Sequence, residues 1–183
     1  TEIAIANLAR ISEAVRDNVD VIFLCGTDFG TQTGAFCSAR AFDDLWLPYY
    51  RRLCDHIHRT TPWKIFKHSC GSVNRFIPSF IEAGIDILNP VQCSATGMDP
   101  ATLKATFGDR ITFWGGGVDT QAVLPFGTPQ EVSRQVAERI AVFGVGGGFV
   151  FNTIHNIQAR TPVENILAIV SELNRSNYKT VCH

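Results

Sequence analysis

The sequence predicts an α/β protein built on a parallel sheet, and three observations carry that prediction. Short, continuous apolar runs of strand length alternate with longer segments whose apolar residues fall at helical spacing. Each apolar run ends in a polar or glycine-bearing loop, and most of the helical segments bring their own start or stop residues. The alternation occurs five times, which is the pattern of successive βα units rather than of hairpins.

In chain order, Ile3 to Val15 is expected to be a helix, with Ile5, Leu8, Ile11, Ala14 and Val15 along one stripe. Asp20 to Cys25 is the first strand, apolar enough to be covered on both faces, and Gly26 ends it. Thr27 to Ser38 is a polar loop. Ala41 to His58 reads as a helix that Pro48 must kink or restart. Trp63 to Lys67 is the second strand, His68 to Asn74 its loop, and Phe76 to Ala83 a helix stopped by Gly84. Ile85 to Leu88 is the third strand, with Asn89 to Met98 as its loop. Asp99 caps the next helix, Pro100 opens it, and it ends near Gly108. Ile111 to Trp114 is the fourth strand and runs into Gly115, Gly116 and Gly117. Thr128, Pro129 and Glu131 form a capping-box start for a helix to about Phe143. Gly146 to Gly148 precede the fifth strand, Phe149 to Phe151, and Asn152 to Arg160 form its loop. Thr161, Pro162 and Glu164 repeat the capping pattern before a helix to about Arg175. A single domain is expected over residues 1–175, followed by a loose tail over 176–183.

Composition excludes several classes of function. The chain has 183 residues, 45% of them hydrophobic and 18% charged, with a formal net charge of -1. That balance is wrong for a disordered chain and lacks the basic excess of a nucleic-acid binder. No apolar run approaches the roughly 20 residues of a membrane span, and the charged first residues do not form a signal or transit peptide. The six cysteines are irregularly spaced, with no CxxC pair. A reducing, cytoplasmic setting with mostly buried thiols is expected, and a near-neutral chain of this kind suits a small-molecule substrate.

Right-handed crossovers place all five strand-to-helix loops at one end of the sheet, the end where such folds bind ligands. The residues collected there include Thr27, Asp28, His68, Ser69, Cys70, Asn89, Gln92, Asp119, Gln121, Asn152, His155, Asn156 and Gln158. His68-Ser-Cys70 is the sharpest local feature. One intervening residue in an extended segment turns both side chains the same way, and imidazole plus thiolate suits zinc. His155 is the candidate third metal ligand, a proton donor, or an anion-binding imidazole. Asp28 either binds a polar group of the substrate or closes an Asx turn. Asp119 either faces a ligand or caps Gln121. Gly115 to Gly117 lack the spacing of a dinucleotide fingerprint and instead mark a close backbone approach. His56 and His58 sit near a helix end, where they face solvent or stabilise that end.

At these loops the sequence resembles the uroporphyrinogen decarboxylase superfamily, especially its corrinoid-linked methyltransferase-like members. The segments that carry the resemblance are Gly26 to Gln32, His68 to Gly71, Glu82 to Gln92, Phe113 to Gln121 and Gly147 to Asn156. The resemblance implies a (β/α)8 TIM barrel with its site at the strand C-termini. One branch of the superfamily decarboxylates a four-ring substrate without metal or cofactor. The other binds zinc through a His-x-Cys motif and a later cysteine, and moves methyl between a corrinoid and a thiol. By resemblance His68 and Cys70 are zinc ligands, and His155 holds the place of the later cysteine. A histidine there also resembles the decarboxylase branch, where it helps bind substrate. Catalysis is then assigned to His155 and Asp28, and substrate binding to Gln32, Asn89, Gln92, Asp119, Gln121 and Asn152. The corrinoid would arrive on a partner protein or as substrate.

Five units are present where the barrel needs eight, and eight take about 200–250 residues at minimum. The expectation is therefore a C-terminal portion of a barrel, lacking three strands and incomplete as a catalyst on its own. Its open strand edges would favour association, in the simplest case as a homodimer.

Overall fold

The structure, a computed structural model, describes residues 1–176; residues 177–183 and the side chains of Asp17 and Cys25 lie outside the described residues. The expected tail, apart from Ser176, and Cys182 fall in that excluded segment.

The elements follow the predicted alternation. Helix α1 spans Glu2–Val15, β1 Val21–Cys25, α2 Ala39–Leu45, α3 Leu47–Thr60, β2 Lys64–His68, α4 Ile77–Ala83 and β3 Ile87–Asn89. They are followed by α5 Pro100–Phe107, β4 Thr112–Trp114, α6 Val123–Phe126, α7 Pro129–Phe143, β5 Phe149–Val150 and α8 Val163–Arg175. The five strands form one sheet in the order β1-β2-β3-β4-β5, and every neighbouring pair is parallel. This is the βα arrangement of a (β/α)8-type barrel carried by five units.

Local chemistry explains most boundaries. Pro48 lies in the first turn of α3 and restarts the helix there, so the segment is two helices, α2 and α3, that meet at Trp46. Gly84 takes the left-handed conformation that ends α4. Asp99 accepts from the Thr102 amide at 2.8 Å to cap α5. Thr128 and Glu131 make both bonds of the capping box on α7.

Three expectations need correction. The capping pattern at Thr161 and Glu164 is not used, because α8 starts one residue later: Pro162 takes the cap position and offers no side-chain bond. Glu164 then sits at the second helical position rather than the third, out of reach of the box geometry. Strand β3 begins at Ile87 rather than Ile85, because the Ile85 amide is bonded to Phe80 O at the end of α4. Strand β2 reaches one residue further than expected, so His68 is the last strand residue and not the first of a loop. The short helix α6 carries no sequence signal that singled it out.

The two faces of the sheet differ. Ile65, Leu88 and Phe113 point to the helices and are fully buried. On the other face the register aligns Phe23 with Phe66, Phe66 with Ile87, and His68 with Asn89. Phe23 there is 59% exposed, while Phe66 and Trp114 are half-buried and meet edge to face at 5.4 Å. The helices cover one side, and the other side carries an aromatic lining that ends in His68 and Asn89.

The main core lies under the first two strand-end loops. Phe29, Phe42, Tyr50, Phe76 and Phe80 form an aromatic cluster, with Phe29 and Phe42 centroids 4.9 Å apart and edge to face. A smaller cluster of Val118, Leu124, Val132, Val136, Ala168 and Ile169 joins α6, α7 and α8. Phe42 meets Phe29, Trp46, Tyr50, Phe76 and Phe80 and is fully buried. Phe42→Ala should therefore cost about 3–5 kcal/mol in a denaturant unfolding experiment; a loss below about 1 kcal/mol would show that the cluster does not hold the fold.

Candidate metal and substrate site

The site is assembled where the loops after β1 and β2 touch. Gly30 and Gly71 meet backbone to backbone: a Cβ on Gly71, at φ +83, would lie 2.4 Å from Gly30 C, and one on Gly30 would lie 2.6 Å from Ser72 N. Only glycine permits that approach. Three bonds lace the loops together around it. The Cys70 amide donates to Asp28 Oδ1 at 2.8 Å, the Phe29 amide to Ser69 Oγ at 2.9 Å, and the Ser72 amide to Thr31 O at 2.8 Å.

This contact brings Asp28, His68 and Cys70 together, with one ligand atom from each lying within 4.8 Å of the others. His68 Nε2 is 3.4 Å from Cys70 Sγ and 3.6 Å from Asp28 Oδ1. Ligands at the usual zinc bond lengths, arranged tetrahedrally, are about 3.4–3.6 Å apart. The two separations from His68 Nε2 match the edges of such a site, and Cys70 Sγ and Asp28 lie within 4.8 Å of each other.

The orientation and tautomer of the neutral His68 ring are set from behind. Asn89 Nδ2 donates to Trp114 O at 2.8 Å, which turns Asn89 Oδ1 toward His68 Nδ1, 2.6 Å away. An amide oxygen accepts only, so Nδ1 carries a proton, and in the neutral ring the Nε2 lone pair faces Cys70 and Asp28. Four successive strands thus contribute: β1 through Asp28, β2 through His68 and Cys70, β3 through Asn89, and β4 through the Trp114 carbonyl.

Burial pushes the Cys70 thiol up, and the nearby Asp28 charge adds to it, giving a pKa of about 11. Burial acts likewise on Cys93, pushed up to about 11, and on Cys54, pushed up to about 12. All three are protonated thiols at neutral pH.

The remaining predicted residues divide in two. Gln92, Gln121 and His155 line, with Cys70, Thr120, Ile154 and Gln158, a cleft of about 280 Å³ beside the donor cluster. His155 faces that cleft but does not join the cluster; it is exposed and lies 3.3 Å from Gln158 Nε2. The third member of the cluster is Asp28 instead. Gln32, Asn89 and Asp119 use hydrogen-bonding groups on the protein itself. Gln32 donates to Ser94 O and accepts from Gln92, whose Oε1 in turn accepts from the Gly71 amide. Asp119 accepts from the Gln121 amide, the capping alternative of the sequence reading. Asn152 is exposed, and its carbonyl accepts from the Gly117 amide at 2.9 Å. The expected close approach at the triple glycine is present: a Cβ on Gly115 would lie 2.0 Å from Pro90 O. His58 faces Asp86, at 2.9 Å, away from this end.

Ser69, which the sequence placed at this end without a role, is 1% exposed and holds the Phe29 amide. One contributor was missed. Thr120 lines the cleft, and its buried hydroxyl has no hydrogen-bond partner among the described residues. No spacing rule marks it.

Comparison with known proteins identifies the scaffold. The family model described as "Uroporphyrinogen decarboxylase (URO-D)" matches residues 2–176. A uroporphyrinogen decarboxylase from Psychromonas ingrahamii is 26% identical over 171 residues, covering 86% of this chain and 44% of that protein. One from Pseudoalteromonas atlantica is 24% identical, covering 92% of this chain and 48% of that protein. This chain therefore spans a little under half the length of these relatives. Among solved structures, a methyltransferase from Methanosarcina mazei matches with a TM-score of 0.70 at 19% identity, covering 96% of this chain and 47% of that one. That likeness is one of fold.

Two outcomes test this geometry. Gly71→Ala combines a positive φ with a backbone collision, so it should lower stability by about 1–3 kcal/mol in urea unfolding; an unchanged midpoint would contradict the loop contact. Above pH 9 the unfolded chain releases thiol protons that the folded chain keeps to about 11 at Cys93 and about 12 at Cys54. Stability should therefore fall as pH rises through that window. A Cys54→Ala, Cys93→Ala variant should show a shallower decline, and identical slopes would refute the assignment.

Proposed function

This chain belongs to the uroporphyrinogen decarboxylase family, and from that premise we propose that it carries the metal-binding half of a zinc-dependent enzyme moving a methyl group between a corrinoid and a thiol acceptor. The observation that supports this reading is the Asp28, His68 and Cys70 cluster, with its spacings of 3.4 and 3.6 Å and a histidine whose free lone pair is already aimed. A thiol and a carboxylate beside a neutral imidazole are the donor chemistry of zinc, and three protein ligands leave a position open.

Cys70 would give up its proton to bind the ion, His68 would offer Nε2, and Asp28 would add a carboxylate oxygen. Zinc held there would supply the Lewis acidity that makes a thiol acceptor a thiolate at neutral pH. The chain's own residues would do the rest. Gln121 and Gln158 would present amides to the acceptor in the adjoining cleft, with Gln92 holding the loops that form its wall. His155, exposed on the same cleft, would orient the acceptor and handle its proton. The corrinoid would be brought by a partner protein, and a homodimer is the simplest assembly.

A second reading is metal-free decarboxylation of uroporphyrinogen or a related substrate, favoured by the names of the curated relatives. Against it, the cleft-lining residues include no lysine or arginine, which is thin for a substrate rich in carboxylates.

Zinc analysis and titration of the intact protein decide between them. The expected result is about one zinc per chain, with affinity falling about tenfold or more in His68→Ala and Cys70→Ser. Absence of zinc binding, together with coproporphyrinogen formation by Cys70→Ser at the wild-type rate, would replace this proposal by the second reading.

A further inference from the structure

Lys67 is the one charged side chain among the fully buried residues of the sheet. It lies on β2 in register with Leu88, on the face that Ile65 and Phe113 fill with apolar side chains. An ammonium there costs free energy that a leucine or methionine would not. Something in the fold has to hold it, and its contacts show what. Lys67 Nζ donates to Thr27 O at 2.7 Å and to His68 O at 2.5 Å. It sits 5.2 Å from the centroid of Phe29, 5.8 Å from Tyr50 and 6.0 Å from Phe80, within the range of cation–π attraction.

Three of those contacts, to Thr27, Phe29 and His68, bear on the donor cluster. Thr27 immediately precedes Asp28 and Phe29 immediately follows it, so the ammonium grips the chain on both sides of that carboxylate. His68 is itself a donor residue, two positions before Cys70. The two carbonyls belong to different segments, the loop after β1 and the end of β2, and one amine reaches both. We propose that Lys67 is a positioning residue of the donor site: its buried ammonium ties the Asp28 segment to the end of β2 and so fixes the separation of Asp28, His68 and Cys70. The naming of those three as metal ligands rests on the function proposed above; the tie between the two segments does not.

Methionine fills a similar volume but donates nothing, leaving both carbonyls without this partner. In the intact protein, Lys67→Met should lower zinc affinity about tenfold or more, as loss of a residue that orients ligands does. Hydrogen exchange of the Cys70 amide, bonded to Asp28 Oδ1, should speed up by a similar factor, while exchange in α7 and α8 stays at the wild-type rate. A variant with altered melting temperature but wild-type zinc affinity and wild-type Cys70 exchange would overturn the proposal, since it would show a packing role only. If the wild-type protein binds no zinc, the metal reading fails and the exchange measurement alone decides the tie. If Lys67→Met does not fold, the wild-type protein still decides. Through-hydrogen-bond couplings from the Lys67 ammonium to the carbonyl carbons of Thr27 and His68 are expected in its NMR spectrum, and their absence at low temperature would refute the tie.

Discussion

The backbone contact between Gly30 and Gly71 is the constraint on which the candidate site depends. A parallel sheet places successive strand ends side by side, but their loops diverge to meet different helices. Here the loops after β1 and β2 close on each other until only hydrogen atoms fit between the chains. That closeness lets Asp28 reach the Cys70 amide, and it sets a carboxylate, an imidazole and a thiol at ligand separation. Beneath the contact the aromatic cluster around Phe29 and Phe42 holds the β1 loop down. Above it, Gln32 and Gln92 bind the same loops to the one after β3. Packing, hydrogen bonding and chemistry therefore meet at one pair of glycines.

The site is also spread across the sheet in a way that makes strand register a functional quantity. His68 sits opposite Asn89 in the ladder, and Asn89 is oriented by the Trp114 carbonyl of the next strand. A slip of one residue in β3 would carry Asn89 to the helix-covered face and leave His68 without the acceptor that selects its tautomer. The apolar residues that fix the register, Ile65, Leu88 and Phe113, lie on that covered face. Core packing on one side of the sheet thereby determines how the imidazole on the other is oriented.

How much of this the sequence discloses depends on the range of the interaction. The βα alternation was legible because each unit is local: an apolar run, a breaker, a cap. His68 and Cys70 were legible as a pair because two positions along an extended chain point the same way. Asp28 as their companion was not, because it lies 40 residues from His68 in sequence and joins it only through β1–β2 register and two glycines. Asn89 looked like a substrate contact for the same reason, since a polar residue after a strand shows its type but not its partner. His155 reads as a metal ligand from its loop, yet the backbone leaves it on the cleft wall. The cap expected at Thr161 failed by one position, which a sequence pattern cannot resolve when a proline fits either register.

The charge of the cluster points in one direction. Burial and the Asp28 carboxylate both oppose ionisation of Cys70, so these surroundings by themselves penalise its thiolate. A divalent cation reverses that penalty, because the carboxylate that repels a thiolate attracts the ion and the ion stabilises both anions. A neutral imidazole, a thiolate and a carboxylate carry two negative charges against the cation's two positive ones. The same groups make Cys70 inert as a free thiol at neutral pH, and a cation bound there would have to displace its proton. A thiol poised as a nucleophile would call for the opposite surroundings, a neighbouring cation or a helix N-terminus. The electrostatics around Cys70 therefore argue against direct attack by a free thiolate at this position, as the ligand role proposed above requires.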